Sequence, residues 1–219
     1  MISIDTLSSI GQYRDWLNNL RVAKEILAIF LKDNPVDTLT SRQLIGLKYF
    51  LCAFTADQVK QLSAEEYSAA AREIGQLECP AEVLLALQEK AVEAYGDPSL
   101  WTKDEMDTVG TVTASLNSTQ ISSISAGTLS YITPEAISLI PSSVFRALSP
   151  DLLSSLGTEN YAAVSQMQWA VLDDAQRKAL NLNSGASISS TVETSSSGGP
   201  SSAAAPVLVL ALTLVGLSF

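Results

Sequence analysis

The chain has 219 residues, with 23 acidic against 13 basic side chains and a net charge of −10. It holds no histidine and two cysteines, which excludes Ser–His–Asp and Cys–His catalysis, His-ligated metals and a four-thiolate zinc site. The acidic balance leaves no basic patch to neutralise phosphates and so excludes nucleic acid as a partner, while an apolar content of 47% is ample for a core.

In chain order, residues 1–10 (MISIDTLSSI) lack the basic start and long apolar run of a secretory signal. Residues 13–31 place Trp16, Leu20, Ala23, Leu27 and Phe30 at helical spacing, and Asn34-Pro35 ends that helix. Ser41 can cap a second helix, RQLIGLKYFLCAF, which carries Cys52. The stretch TADQVKQL (Thr55 to Leu62) follows, and then Ser63-Ala64-Glu65-Glu66 forms a capping box before YSAAAREIGQL. Pro80 opens the strongest helix, AEVLLALQEKAVEAY, and Gly96 is placed to close it. After the Asp97-Pro98 turn and Trp101, a second capping box at Thr102 to Glu105 precedes MDTVGTVTASL. Trp16, Trp101 and Trp169 are expected to be core anchors.

From Asn117 to Leu180 the sequence falls into eight rows of eight: NSTQISSI, SAGTLSYI, TPEAISLI, PSSVFRAL, SPDLLSSL, GTENYAAV, SQMQWAVL and DDAQRKAL. The eighth place is always aliphatic. The fifth is apolar in every row but the last, which has Arg177 and so a polar end to the array. A single long helix cannot carry this pattern, because eight residues advance an apolar stripe by roughly 80°. A strand would put the two places on opposite faces. A short helix restarted in each row fits. Asn117, Ser125, Thr133, Ser149, Ser165 and Asp173 stand where a cap is needed, Pro134 and Pro150 occupy the first helical position, and Glu135, Asp151 and Glu159 follow it. Such helices are unstable singly and must stack, and the small residues at places six and seven would allow close approach. The TADQVKQL stretch shares the same phase.

The predicted fold is therefore all-α: a superhelical, armadillo-like array. Longer helices over 1–116 continue into octad-repeat short helices over 117–182. Residues 183–202, rich in Ser, Thr and Gly, read as a flexible stalk. Residues 203–219 are apolar and uncharged. A membrane span needs about 20 apolar residues, and a core strand is hard to reach across such a stalk. The pattern of a small triplet (Ser197-Gly198-Gly199), a polar spacer to Pro206 and a terminal apolar run from Val207 is that of a glycosylphosphatidylinositol (GPI) attachment signal. Ser197 is the expected attachment residue, with Ser196 as the alternative, and the signal would be removed from the mature protein.

A GPI anchor places the chain outside the cell. The missing signal peptide then points to a piece of a larger precursor or an incomplete sequence. Outside the cell Cys52 and Cys79 can form a disulfide, the alternative being two buried free thiols. Asn117-Ser118-Thr119 is the only N-glycosylation sequon. A cap uses the carboxamide oxygen of Asn117 and a glycan its nitrogen, so both uses are compatible.

The order of these features resembles the stereocilin, otoancorin and mesothelin family over roughly residues 40–182. The features are Cys52 and Cys79 flanking ADQVKQLSAEEY, the helix ending at Gly96, Trp101, the Gly110 region and the rows ITPEAISLIPSSVFRALSPDLLSSL. The chain lacks the family's length and its basic cleavage run. The resemblance implies a superhelix of short helices, extracellular and often GPI-anchored, acting in cell adhesion or attachment to matrix and gels. The expected protein is non-enzymatic, with no cofactor, no metal and no small-molecule substrate. Its expected partners are an extracellular matrix, glycoprotein or gel component and the membrane, the latter through a GPI lipid. Adjacent acids such as Glu65-Glu66 and Asp173-Asp174 point about 100° apart on a helix and do not converge. An intracellular or tail-anchored helical scaffold is the alternative.

Overall fold

The computed structural model describes residues 2–183. Ser196, Ser197, the stalk beyond Asn183 and the apolar run of 203–219 lie outside the described residues. Among those described, all regular structure is helical, with fifteen α-helices and five 3₁₀ segments. One apolar cluster runs from Leu7 to Leu180.

At the N-terminal end the expected helix of 13–31 is two pieces, a 3₁₀ turn at Arg14–Asn19 and an α-helix at Leu20–Leu31. The break falls at Asn19, whose φ of −129° and ψ of 37° leave the helical region. Ala23, Leu27 and Phe30 are buried as the spacing predicts. Trp16 is half-buried: its ring centroid lies 4.7 Å from that of Phe50, and its indole N–H donates to the Ile10 carbonyl at 2.7 Å.

The centre of the chain contains a duplication, residues 40–63 against 102–125, that the sequence conceals. Each copy opens with a capping box, Thr40 with Gln43 and Thr102 with Glu105. A helix follows (Ser41–Leu47, Lys103–Val109), then a kink into a 3₁₀ turn (Lys48–Ala53, Gly110–Ser115). A second capping box (Thr55 with Gln58, Asn117 with Gln120) then starts a six-residue helix. Buried positions correspond: Leu47 with Val109, Phe50 with Val112, Cys52 with Ala114, Val59 with Ile121 and Leu62 with Ile124. The first copy is thus capped by Thr40 rather than Ser41. Its neighbouring hydroxyl cannot choose the cap; Gln43, three residues on from Thr40, does.

Both kinks need a positive φ, 50° at Lys48 and 52° at Gly110, with ψ at −134° and −125°. This region favours glycine. At Gly110 a Cβ would also sit 2.3 Å from the Gly75 carbonyl oxygen, which accepts the Thr111 N–H at 2.8 Å.

In the octad region each row is its own short helix, from Ser118–Ser123 onward to the longer Asp174–Asn183. The place-one side chains of Asn117, Ser125, Thr133, Ser149 and Ser165 accept from backbone N–H groups three residues on, and Asp173 does so at 2.8 Å. Places five and eight are buried throughout rows one to five; Tyr161, Val164 and Trp169 in rows six and seven are half-buried. The small residues at places six and seven do not bring helices together. Most face outward, with Ala163 instead packed against the core, and hydroxyls of Ser123, Ser130, Ser138, Ser154 and Ser155 donate to carbonyls three residues back at 2.7–2.8 Å. Arg177 lies half-exposed with Nη1 3.5 Å from Asp174.

The fourth place carries a further interaction. Asn160, Gln168 and Gln176 are buried polar residues. Their carboxamide N–H groups donate to the carbonyls of Ile132, Ile140 and Leu148 at 2.7–2.8 Å, each 28 residues earlier and each at place eight four rows back. Gln168 and Gln176 donate also to Ile137 and Arg146, while their carboxamide oxygens accept the N–H of Ser165 and Asp173. One side chain therefore closes a helix start and ties two rows together.

Gly110→Ala is expected to cost about 3 kcal/mol, from φ and the backbone overlap together, whereas Lys48→Gly should add about 1 kcal/mol by relieving the same conformation. Urea unfolding midpoints measure both. Gln168→Met leaves buried carbonyls without their donor and should cost about 2 kcal/mol, against roughly 0.5 kcal/mol for Gln120→Met, where solvent can replace the capping oxygen. Equal losses in the two variants would mean that the inter-row bonds contribute nothing.

Candidate functional site

The two cysteines are joined, and one of them, Cys79, lines the same groove as the sequon residue Asn117. Cys52, at the end of its 3₁₀ turn, is bonded to Cys79 (S–S 1.99 Å, Cα–Cα 4.9 Å), and both are buried. Cys79 immediately precedes Pro80, which starts the fifteen-residue helix Ala81–Tyr95. The disulfide thus fixes where that helix begins. The helix buries Val83, Leu84 and Leu87 but leaves Leu85 50% exposed.

Leu85 borders an apolar groove of about 320 Å³. Its lining comes from Cys79 and Leu84 on one side, Leu116 and Asn117 at the end of the second kinked turn, and Leu139 and Val144 from the third and fourth rows. Asn117 itself is exposed. Its Oδ1 accepts the Gln120 N–H at 2.9 Å, and its own N–H donates to Gln120 Oε1 at 3.0 Å.

Ionisable groups elsewhere act structurally. Glu66 accepts the Ser41 N–H at 2.5 Å and Glu65 is exposed; Asp173 caps a helix and Asp174 pairs with Arg177. Neither acidic pair converges on a common point. Lys90, 5% exposed, donates to the Lys60 carbonyl at 3.1 Å and to Glu93 at 2.6 Å. A polar depression of about 380 Å³ is lined by Arg72, Glu73, Tyr95, Asp104, Glu105 and Thr108. The Thr102 hydroxyl and N–H hold the Glu105 carboxyl below the usual range, and Ser99 does the same for Asp97. Carboxylates held ionised in this way are acceptors, not general acids. Burial raises the Tyr67 hydroxyl, which stays a phenol. Among the described residues no group of three acidic or cysteine side chains could hold a metal ion, and no helix is long and apolar enough to cross a membrane.

Sequence reasoning paired Cys52 with Cys79 and singled out Asn117 as a sequon. It did not foresee that Cys79 and Asn117 line one groove, because Leu139 and Val144 reach that groove only through the stacking of rows. Trp101 is buried, with its indole N–H on the Gly96 carbonyl at 3.1 Å. Trp169 is instead half-exposed, edge-on to Tyr161 at 6.3 Å.

Described residues whose regular structure is helical throughout, capped octads and a single disulfide define a repeat protein stapled by one covalent bond. It is 33% identical to otoancorin of Mus musculus over 180 residues and 32% identical to otoancorin of Homo sapiens, in both cases across 81% of this chain. It is 31% identical to stereocilin of Homo sapiens over 188 residues, across 82% of this chain. The chain belongs to the stereocilin/otoancorin family. It spans only 16% of mouse otoancorin and 10% of human stereocilin. No protein-family model and no solved structure matches it.

Replacing both Cys52 and Cys79 by alanine should lower stability by about 3 kcal/mol, the loop-closure contribution of a 27-residue separation. The shift is read from urea midpoints of oxidised wild type and the double variant.

Proposed function

We propose that this chain is a non-enzymatic, extracellular adhesion or matrix-attachment protein held at the cell surface by a GPI lipid on Ser197, or on Ser196. The observation that carries the reading is the capped octad array with its Cys52–Cys79 disulfide, within a stretch related to otoancorin and stereocilin. A disulfide is at home in an oxidising compartment. The exposed Asn117 sequon suits the same compartment, and we propose it as an N-glycosylation site.

The rows wind as an armadillo-like superhelix. Support for that shape comes from the constant 28-residue offset of the place-four amides, which joins each of rows six to eight to the row four before it. An array of this kind presents an extended face, and attachment to a matrix, glycoprotein or gel component would proceed by surface complementarity.

Phosphatidylinositol-specific phospholipase C should release the protein from intact cells, with Ser197 or Ser196 as the C-terminal residue by mass spectrometry. Protein that stays on the membrane with the 203–219 peptide still attached would favour a tail-anchored scaffold and sink the anchor.

A further inference from the structure

We propose that the apolar groove beside Asn117 is the seat of the innermost sugars of an N-linked glycan carried by that residue. The inference rests on the reading of this chain as an extracellular glycoprotein. It adds where the sugar goes and what it does there.

Three observations lead to it. Asn117 opens the only sequon of the chain and also lines the groove. Its Oδ1 is committed to the Gln120 N–H, which fixes the carboxamide; the nitrogen on its other arm is the atom that a sugar joins. Linking a sugar there breaks neither hydrogen bond of the capping box. Finally, the groove is walled by apolar side chains (Leu84, Leu85, Leu116, Leu139 and Val144), and Leu85 is 50% exposed on a helix that buries its neighbours.

N-acetylglucosamine suits such a wall. Its ring carries C–H faces and its acetamide a methyl group, while its hydroxyls can remain in water. The groove volume of about 320 Å³ sits at the small end of ligand pockets, roughly 300–1,000 Å³, the scale of one or two sugar rings. A sugar tethered at the rim is already at high effective concentration, so weak apolar contacts suffice to hold it. Seated there, it would cover Leu85 and brace the third and fourth rows against the helix Ala81–Tyr95.

The test uses the full chain, expressed in mammalian cells behind an added cleavable leader and collected from the cell surface with phosphatidylinositol-specific phospholipase C or, where it is not anchored, from the medium. Three forms are compared: intact glycan, glycan trimmed enzymatically to one N-acetylglucosamine, and the Thr119→Ala variant, which removes the sequon but keeps Asn117 and its cap. The mass of the Asn117 peptide reports occupancy. Amide hydrogen exchange over residues 139–145 and binding of an apolar fluorescent dye report the groove. Thr119→Ala should exchange at least threefold faster there and bind more dye, while the one-sugar form keeps most of the protection. Leu85→Ser should shrink the difference between glycosylated and unglycosylated protein without changing occupancy. An occupied Asn117 with equal exchange and equal dye binding in all three forms would overturn the proposal, leaving the groove to another partner. An unoccupied Asn117 would instead overturn the glycoprotein reading on which the proposal stands.

Discussion

A helix of five or six residues leaves more backbone groups unpaired than it pairs, and the architecture of this chain follows from that constraint. Amides at the start of six of the eight rows are taken by the place-one side chains, from Asn117 to Asp173. Carbonyls in rows one, two, three and five are taken by serine hydroxyls at places six and seven. What remains buried between rows is taken by the carboxamides of Asn160, Gln168 and Gln176. Only with these groups satisfied can the apolar fifth and eighth places contribute their burial.

Some of this was legible in the sequence and some was not, for specific reasons. Caps are local, so Ser125 or Thr133 could be assigned from the residues around it. The apolar seam is periodic, so Ile121 through Leu156 could be assigned as buried. Gln168 was opaque because a glutamine three places after a serine already has a complete explanation as a capping-box partner. Nothing nearby reveals that its other arm reaches Ile140. The serines at places six and seven were misread because smallness suggests close packing, whereas their hydroxyls serve the backbone. The duplication was hidden because few residues are shared beyond the capping Thr40/Thr102 and Gln58/Gln120, and Lys48 and Gly110 share a conformation that their side chains do not advertise.

The site shows the same division. A lone sequon and two distant cysteines are visible as residues, but the groove that Cys79 and Asn117 line is assembled from segments far apart in sequence. Away from the groove, Asp173 caps a helix and Asp174 pairs with Arg177, Lys90 bonds the Lys60 carbonyl and Glu93, and neighbouring hydroxyls hold the Glu105 and Asp97 carboxyls below their usual range. The groove itself offers shape and apolar area.

The offset of 28 residues has a consequence for how such a chain can change length. Donor and acceptor sit half a row out of phase, at places four and eight. One residue added between Leu148 and Asn160 would move all three carboxamides out of register with their carbonyls and turn the apolar seam toward water. Eight residues added or lost would preserve the phase and merely hand each carboxamide to a different row. Evolution can therefore lengthen or shorten this array only in whole rows, and its size is quantised by its hydrogen bonds.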